Sequence, residues 1–243
     1  MTVINGKSIA AGRLVALKEK VARMARPPKL EIVLVGNDPS SLKYVELKKK
    51  RAQEVGIEVL VLDHFPENSQ ADGIIVQLPC PTPEIIDHIP LEKDVDGLRP
   101  GSPFLPAAAR AILTASNAAG GVAGKIVTVL GQGMVGMPAA DALEKLAAKV
   151  NRADKNTPTD ELLRMTQEAD ILVSATGVPS LVTAEMIKPG AILIDVGWPK
   201  AEVTAEAAQK SAAFTPVPGG IGPLTVVSLL ENTYKAARKS QEL

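Results

Sequence analysis

The sequence predicts the α/β class, with two domains flanking a cleft and a parallel sheet in the second. Three observations carry this reading. Apolar runs of strand length alternate with longer amphipathic runs through most of the chain, the rhythm of parallel α/β units. A glycine-rich turn, Gly131 to Gly136, separates one such strand from the helical run that follows it. And 243 residues are enough to bury two small cores.

The elements follow in order. Ser8 to Met24 carries apolar residues at helical spacing among Lys and Arg and predicts an amphipathic helix. Lys29 to Val35 is a β-branched run ending at Gly36, a buried parallel strand. Asp38-Pro39 opens a helix that Gly56 stops after Val55. Ile57 to Leu62 and Gly73 to Leu78 are two more strands, and Pro79 to Pro83 is a rigid loop. A short helix precedes Asp94-Val95-Asp96-Gly97, and another runs from about Ala107 to Ala115. Lys125 to Leu130 opens a second α/β run that continues to about Ile194, and Thr225 to Gln241 reads as one long helix. The boundary is placed near Asn117: residues 1–115, completed by 223–243, form one domain and 116–222 the other.

Composition excludes several classes. Lys plus Arg and Asp plus Glu are 27 each, so no global field draws nucleic acid or a membrane surface. Cys80 is the only cysteine, which forbids an intrachain disulfide and fits a reducing compartment. The only histidines are His64 and His88, too few for a usual zinc site, so no metal is expected. Met1 to Lys7 lacks the apolar core of a signal peptide, and no apolar run approaches the roughly 20 residues that span a bilayer. A cytoplasmic protein is expected.

The second domain carries the clearest chemistry. Gly131-Gln132-Gly133-Met134-Val135-Gly136 is G-x-G-x-x-G between strand and helix, the Rossmann dinucleotide fingerprint, although a glycine-rich turn with no ligand has the same pattern. Its glycines permit a tight turn, close approach of a pyrophosphate and close helix–strand packing, with the phosphate charge at a helix N-terminus. The next strand end, Asn151-Arg152-Ala153-Asp154, should read the adenosine ribose. An acid there favours NAD and an Arg accommodates the 2′-phosphate of NADP. Both are present, so NAD stays open, while Arg152 at the strand end leans the choice to NADP; a solvated charged loop would carry the same residues.

The first domain is quieter. Tyr44 and Lys48 share one helix face, a pairing that a solvated surface also explains. Tyr-x-x-x-Lys occurs in short-chain dehydrogenases too, but there the glycine motif comes first. Gln77 ends an apolar strand where such folds bind ligands, although a simple strand cap fits as well. Asp96 sits in a turn that its own chemistry accounts for. Thr215 to Thr225 packs three prolines and three glycines into eleven residues, which predicts a loop of fixed shape close to a ligand.

Together these segments resemble the methylenetetrahydrofolate dehydrogenase/cyclohydrolase family. The matches are Ser41 through Lys48, Asp72-Gly73 through Pro81, Lys93 through Gly97, Asp195-Val196-Gly197 and Thr215 through Thr225, in the family's order. The resemblance implies hydride transfer from methylenetetrahydrofolate to NADP, then hydrolysis of the methenyl product to 10-formyltetrahydrofolate. It implies that Lys48 is the acid/base residue, that Gln77 positions it, that Tyr44 stacks on the folate and that Asp96 binds the pterin. Gly219, Gly220 and Thr225 would contact the substrate. Gly131, Gln132, Gly133, Gly136, Arg152, Gly177 and Trp198 would hold the cofactor. A folate substrate and a homodimer are implied as partners.

The chain departs from the family in places. Gly131-Gln132-Gly133 replaces a usual Gly-Arg-Ser, Pro106-Ala107-Ala108-Ala109 replaces Pro-Cys-Thr-Pro, and Glu67 to Ala71 is short. Lys149 to Asn151 is short for a central strand, and no Gly-Asp-Val stands between Lys200 and Phe214. Two rival readings are a dehydrogenase of another small substrate and a non-catalytic relative that keeps the nucleotide site.

Overall fold

Strands and helices alternate along the computed structural model, which describes residues 1–241. The strands are β1 Thr2–Val3, β2 Lys29–Val33, β3 Glu58–Leu62, β4 Gly73–Val76, β5 Ile126–Leu130, β6 Lys149–Ala153, β7 Ile171–Ser174, β8 Ile192–Asp195 and β9 Ala213–Phe214. The α-helices are α1 Gly6–Val21, α2 Pro39–Val55, α3 Ala107–Ala118, α4 Gly136–Glu144, α5 Thr159–Glu168, α6 Ala205–Lys210 and α7 Ile221–Gln241. The chain divides into two compact units: Met1–Ile9 with Ala108–Thr225, and Ala10–Ala107 with the chain from Val226 onward.

The unit of Ala10–Ala107 is built on a three-stranded parallel sheet, β3-β2-β4. All four residues of β4 are buried, which explains its unbroken apolar run. Helix α2 forms where the sequence says it should. The Asp38 carboxylate accepts from Ser41 N at 2.7 Å, Pro39 begins the first turn, and Gly56 ends the helix at φ 84°. Its buried face is Ser41, Val45, Lys48, Ala52 and Val55, a helical stripe with a lysine in the middle. That stripe joins a core with Leu17, Leu30, Ile32, Ile75, Leu229 and Leu230.

The other unit holds a six-stranded parallel sheet in the order β1-β9-β8-β7-β5-β6. Strand β5, which leads into the glycine turn, lies between β7 and β6, and β7 is buried along its whole length. Leu130, Leu172, Val182, Ile187 and Leu193 form this unit's core with Ala153, Ala191 and Ala207.

Two expectations are corrected. The segment starting at Lys149 is a full five-residue strand paired with β5 from Lys149 to Ala153, and it is an edge strand. Thr215 to Thr225 is not loop throughout, because α7 begins at Ile221; Pro223 sits in the first turn, where its missing N–H is not needed. Apart from these, the compact units break after Ala107, so α3 from Ala108 on lies in the unit of the six-stranded sheet. Met1–Ile9 also belong there, because β1 pairs with β9 in its sheet.

Candidate functional site

Lys48 is 4% exposed, in the middle of the apolar face of α2. Its Nζ donates to Gln77 Oε1 at 2.9 Å and lies 5.1 Å from the centre of the Tyr44 ring, one turn earlier on the helix. Gln77 follows β4. Its backbone N–H donates to Val33 O, and its Nε2 donates to Leu78 O at 2.7 Å. With the amide nitrogen so committed, the oxygen must face Lys48. Burial pushes the Lys48 ammonium down from its usual range, and the Asp96 charge opposes this. Desolvation likewise pushes the Asp96 carboxyl up; Lys48 counteracts it and Asp94 reinforces it. Both groups are thus biased toward neutrality.

Asp96 is carried by a turn that Asp94 builds. The Asp94 side chain, wholly buried, accepts from the backbone N–H groups of Gly97, Leu98 and Arg99 at 3.0, 3.3 and 2.9 Å. Gly97 has φ 74°, and a Cβ there would lie 2.6 Å from Phe104 O, so the turn needs glycine twice over. A Cβ on Gly73 would meet Val95 Cγ1 at 2.7 Å, which lets this turn lie against β4. Asn232 holds the same turn by donating to Val95 O at 2.9 Å. Asp72, in contrast, is a structural acid: Arg26, Lys29 N and Ser240 all donate to it.

In the other unit the glycine turn lies at the C-terminal edge of the parallel sheet. A Cβ on Gly136 would sit 1.8 Å from Gly131 O, and one on Gly131 would sit 2.3 Å from Ala175 O, so neither position tolerates a side chain. Gly133 is different: a Cβ there meets nothing within 4 Å. Val135, the residue before α4, offers the helix no side-chain cap. Open space over the turn and an uncapped helix start suit a pyrophosphate, so the residues present fit a dinucleotide. The Gln132 side chain turns back and donates to Val129 O and Gly131 O.

Strands β5 and β7 run side by side and end together, Leu130 opposite Ser174, which sets the Gly131 turn beside the loop carrying Gly177. Gly177 has φ 75° and free space where a Cβ would be. Trp198, half exposed, lies in the loop after β8. Arg152, on the edge strand β6, is engaged: its guanidinium contacts Asp141 at 2.7 Å and Glu144 at 3.0 Å, both on α4. Asp154 is also occupied, accepting from Asn156 N at 2.8 Å. A 2′-phosphate at Arg152 must therefore compete with two carboxylates. In the Pro–Gly loop, Gly219 has φ 115° and accepts from Lys7 N, while Gly220 N donates to Pro216 O. Thr225 Oγ1 donates back to Ile221 O at 3.1 Å.

The structure thus brings Tyr44, Lys48, Gln77 and Asp96 together in one unit, and places Gly131 beside the Gly177 loop in the other. No role was expected from the sequence for Asp94, Asn232, Asp195 or Glu202, all buried and all binding backbone groups. Asp94 and Asp195 carried a signal, each being the first acid of a segment that resembles the family, Asp94-Val95-Asp96-Gly97 and Asp195-Val196-Gly197; Asn232 and Glu202 carried none.

Comparison with known proteins matches successive stretches of the chain to two domains of one family. Residues 4–96 match the tetrahydrofolate dehydrogenase/cyclohydrolase catalytic domain, and residues 103–241 match the NAD(P)-binding domain of the same family. A bifunctional protein FolD from an Exiguobacterium species is 38% identical, over 98% of this chain and 99% of its own length. Among solved structures, the bifunctional FolD dehydrogenase/cyclohydrolase of Campylobacter jejuni superposes with a TM-score of 0.89 at 31% identity, covering 99% of each chain. The Trypanosoma brucei methylenetetrahydrofolate dehydrogenase-cyclohydrolase, solved with NADP cofactor and inhibitor, gives 0.90 at 30% identity, over 99% of this chain and 98% of that one.

Proposed function

Because the chain belongs to the tetrahydrofolate dehydrogenase/cyclohydrolase family, we propose that it oxidises 5,10-methylenetetrahydrofolate to the 5,10-methenyl compound with NADP and hydrolyses that product to 10-formyltetrahydrofolate. The observation that carries the reading within the molecule is Lys48, a buried amine aimed by a fixed amide and biased toward its neutral form. NADP, when bound at the glycine turn, supplies the hydride acceptor. Everything else falls to the chain.

In the hydrolytic step a water adds to the methenyl carbon and loses a proton, and the C–N bond that then breaks leaves a nitrogen that needs one. Lys48 carries out both transfers, as base toward the water and as acid toward the departing nitrogen. Burial suits it to this, since an amine at its ordinary pKa would stay charged and could not accept. Gln77 Oε1 aims the lone pair, and the Tyr44 ring offers a flat face to the folate. Asp96 provides a carboxyl for the pterin nitrogens, with Gly219, Gly220 and Thr225 as further substrate contacts. The oxidative step asks only for orientation, so it rests on the bound positions of donor and acceptor rather than on a protein acid.

Gly131, Gly133, Gly136 and Gly177 line the cofactor on this reading, with Gln132 and Trp198 beside them. Arg152 is the 2′-phosphate partner that tips the choice to NADP, with NAD as the weaker alternative. A cytoplasmic homodimer belongs to the same proposal and rests on the family resemblance; light scattering of the purified protein tests the pairing. The activity is tested by supplying methylenetetrahydrofolate with NADP, and separately with NAD, and following methenyl formation and decay. Folded protein that binds folate yet reduces neither cofactor would sink the oxidoreductase assignment.

A further inference from the structure

Glu202 has no part in the assignments above, and its surroundings give it one. It is 2% exposed, and four donors converge on its carboxylate. Oε2 accepts from Ser174 Oγ at 2.5 Å, Thr176 N at 2.9 Å and Thr176 Oγ1 at 2.6 Å, and Oε1 accepts from Gly177 N at 2.7 Å. Ser174 ends β7, so this one side chain fixes the whole turn by which the strand enters the Gly177 loop. Glu202 is itself held. The Asp195 carboxylate, at the end of β8, accepts from Glu202 N at 2.9 Å, Val203 N at 2.9 Å and Gly197 N at 2.8 Å. Two buried acids therefore link the ends of two neighbouring strands, at the edge where parallel sheets of this kind bind ligands.

We infer that Glu202 is a positioning residue for the dinucleotide: through Thr176 and Gly177 it sets the height of the loop that faces the cofactor beside the Gly131 turn. The inference rests on the cofactor site proposed above. A Cβ on Gly131 would stand 2.3 Å from Ala175 O and 3.2 Å from Thr176 Cα, so the loop and the glycine turn are in contact and a shift of one displaces the other. Gly177, with open space above it, is where the loop approaches a ligand. A carboxylate is the right group for the task. It offers only acceptors, and all four groups facing it are donors, two of them backbone N–H groups that have no other role to adopt.

Glu202→Gln tests this with little change of volume. The amide keeps one oxygen, which can serve the three donors now on Oε2, and puts an NH2 against Gly177 N–H. The bond that sets Gly177 is then the one lost. Binding of NADP and of NAD is followed by the fluorescence of Trp198, the only tryptophan, which lies in this unit. The expected result is a loss of affinity of about tenfold, equal for the two cofactors, as for one hydrogen bond to a charged group. Hydrolysis of supplied methenyltetrahydrofolate, which uses no cofactor, stays at the parent rate, and Glu202→Asp recovers part of the lost affinity. A lower melting temperature with unchanged cofactor affinity would make Glu202 a purely structural acid and overturn the inference. So would a loss confined to NADP, since that points to the 2′-phosphate instead. If the parent protein binds neither NADP nor NAD, the cofactor reading itself is wrong and this inference goes with it.

Discussion

Replacing Lys48 with Met separates the two chemical steps, and the structure sets the scale of each effect. The substitution keeps most of the side-chain length and removes the Nζ that donates to Gln77 Oε1. A positioned acid/base group contributes about 10²–10⁴-fold, so hydrolysis of supplied methenyltetrahydrofolate should fall by at least about two decades, or about 2.7 kcal/mol of barrier. Hydride transfer keeps Tyr44, Asp96 and the cofactor unit, so methenyl product should accumulate while NADP is still reduced. Stability should change little, because two terms oppose each other. One hydrogen bond to a charged group, about 1.5–3 kcal/mol, is lost, while a buried ammonium whose desolvation costs several kcal/mol is removed. The pH dependence shifts in a defined direction. With its pKa below the unfolded value, Lys48 binds fewer protons in the folded chain than in the unfolded one over the interval between the two. Stability in the parent therefore gains with rising pH through that interval, and Lys48→Met abolishes the gain. Methenyl decay, corrected for spontaneous opening, decides the matter. Hydrolysis near the parent rate in a folded Lys48→Met protein would refute the proton-transfer role and reduce Lys48 to a binding residue.

Asp96→Asn removes the one charge that raises the Lys48 pKa, so the rising limb of the hydrolysis pH profile should move to lower pH, and a limb that moves up or stays fixed contradicts the pairing. Arg152→Ala should weaken NADP by less than the tenfold to hundredfold of a free arginine–phosphate bond, because Asp141 and Glu144 already engage the guanidinium; equal loss for NAD would assign Arg152 to α4 packing alone. Arg26→Ala leaves Asp72, whose side chain is 2% exposed, without its bidentate partner, and urea titration should show a loss of about 1–2 kcal/mol after allowing for the half-exposed arginine. Burial raises the Asp72 carboxyl, and Arg26, Lys29 N and Ser240 more than offset this to hold it below its usual range. The stability it gives is thus present above the ordinary Asp value and lost as pH falls through the lowered one, and in Arg26→Ala, where the folded value is less lowered, that acid-dependent loss should be smaller.

Local chemistry was legible wherever one residue type dictates a conformation. Asp38-Pro39 and Gly56 bracket α2 in the sequence because a cap, a fixed φ and a left-handed stop each act over a few bonds. The Gly131 turn was readable for the same reason. The two-residue strands β1 and β9 were not, since a pair of residues has no periodicity and their pairing joins distant parts of the chain. The placement of Lys48 was half legible. Ser41, Val45, Ala52 and Val55 mark a helical stripe that predicts a buried position at 48, but a lysine there reads as solvated until something is known to face it. Glu202 was invisible, because nothing in Lys200-Ala201-Glu202-Val203 distinguishes a buried acid from an exposed one, and its meaning lies in donors from residues 174 to 177.

The number of partners separates the buried polar groups that hold the fold from the one proposed to do chemistry. Asp94, Asp195 and Glu202 each accept at least three hydrogen bonds, at least two of them from backbone N–H groups of nearby loops. Such a carboxylate is saturated with donors, and removing it would unmake the turn. Lys48 is the opposite case. An ammonium has three donors, and among the described residues its side-chain hydrogen bond goes to Gln77 alone, with an aromatic face and a desolvated carboxyl for the rest of its surroundings. Burial without saturation is what lets a proton leave and return at low cost, because no turn depends on where the proton is. Under-satisfaction at Lys48 is therefore the physical content of its assignment as the acid/base group. It also explains why Gln77 is held so firmly from its own side: an amine with one bond needs that bond to point somewhere definite.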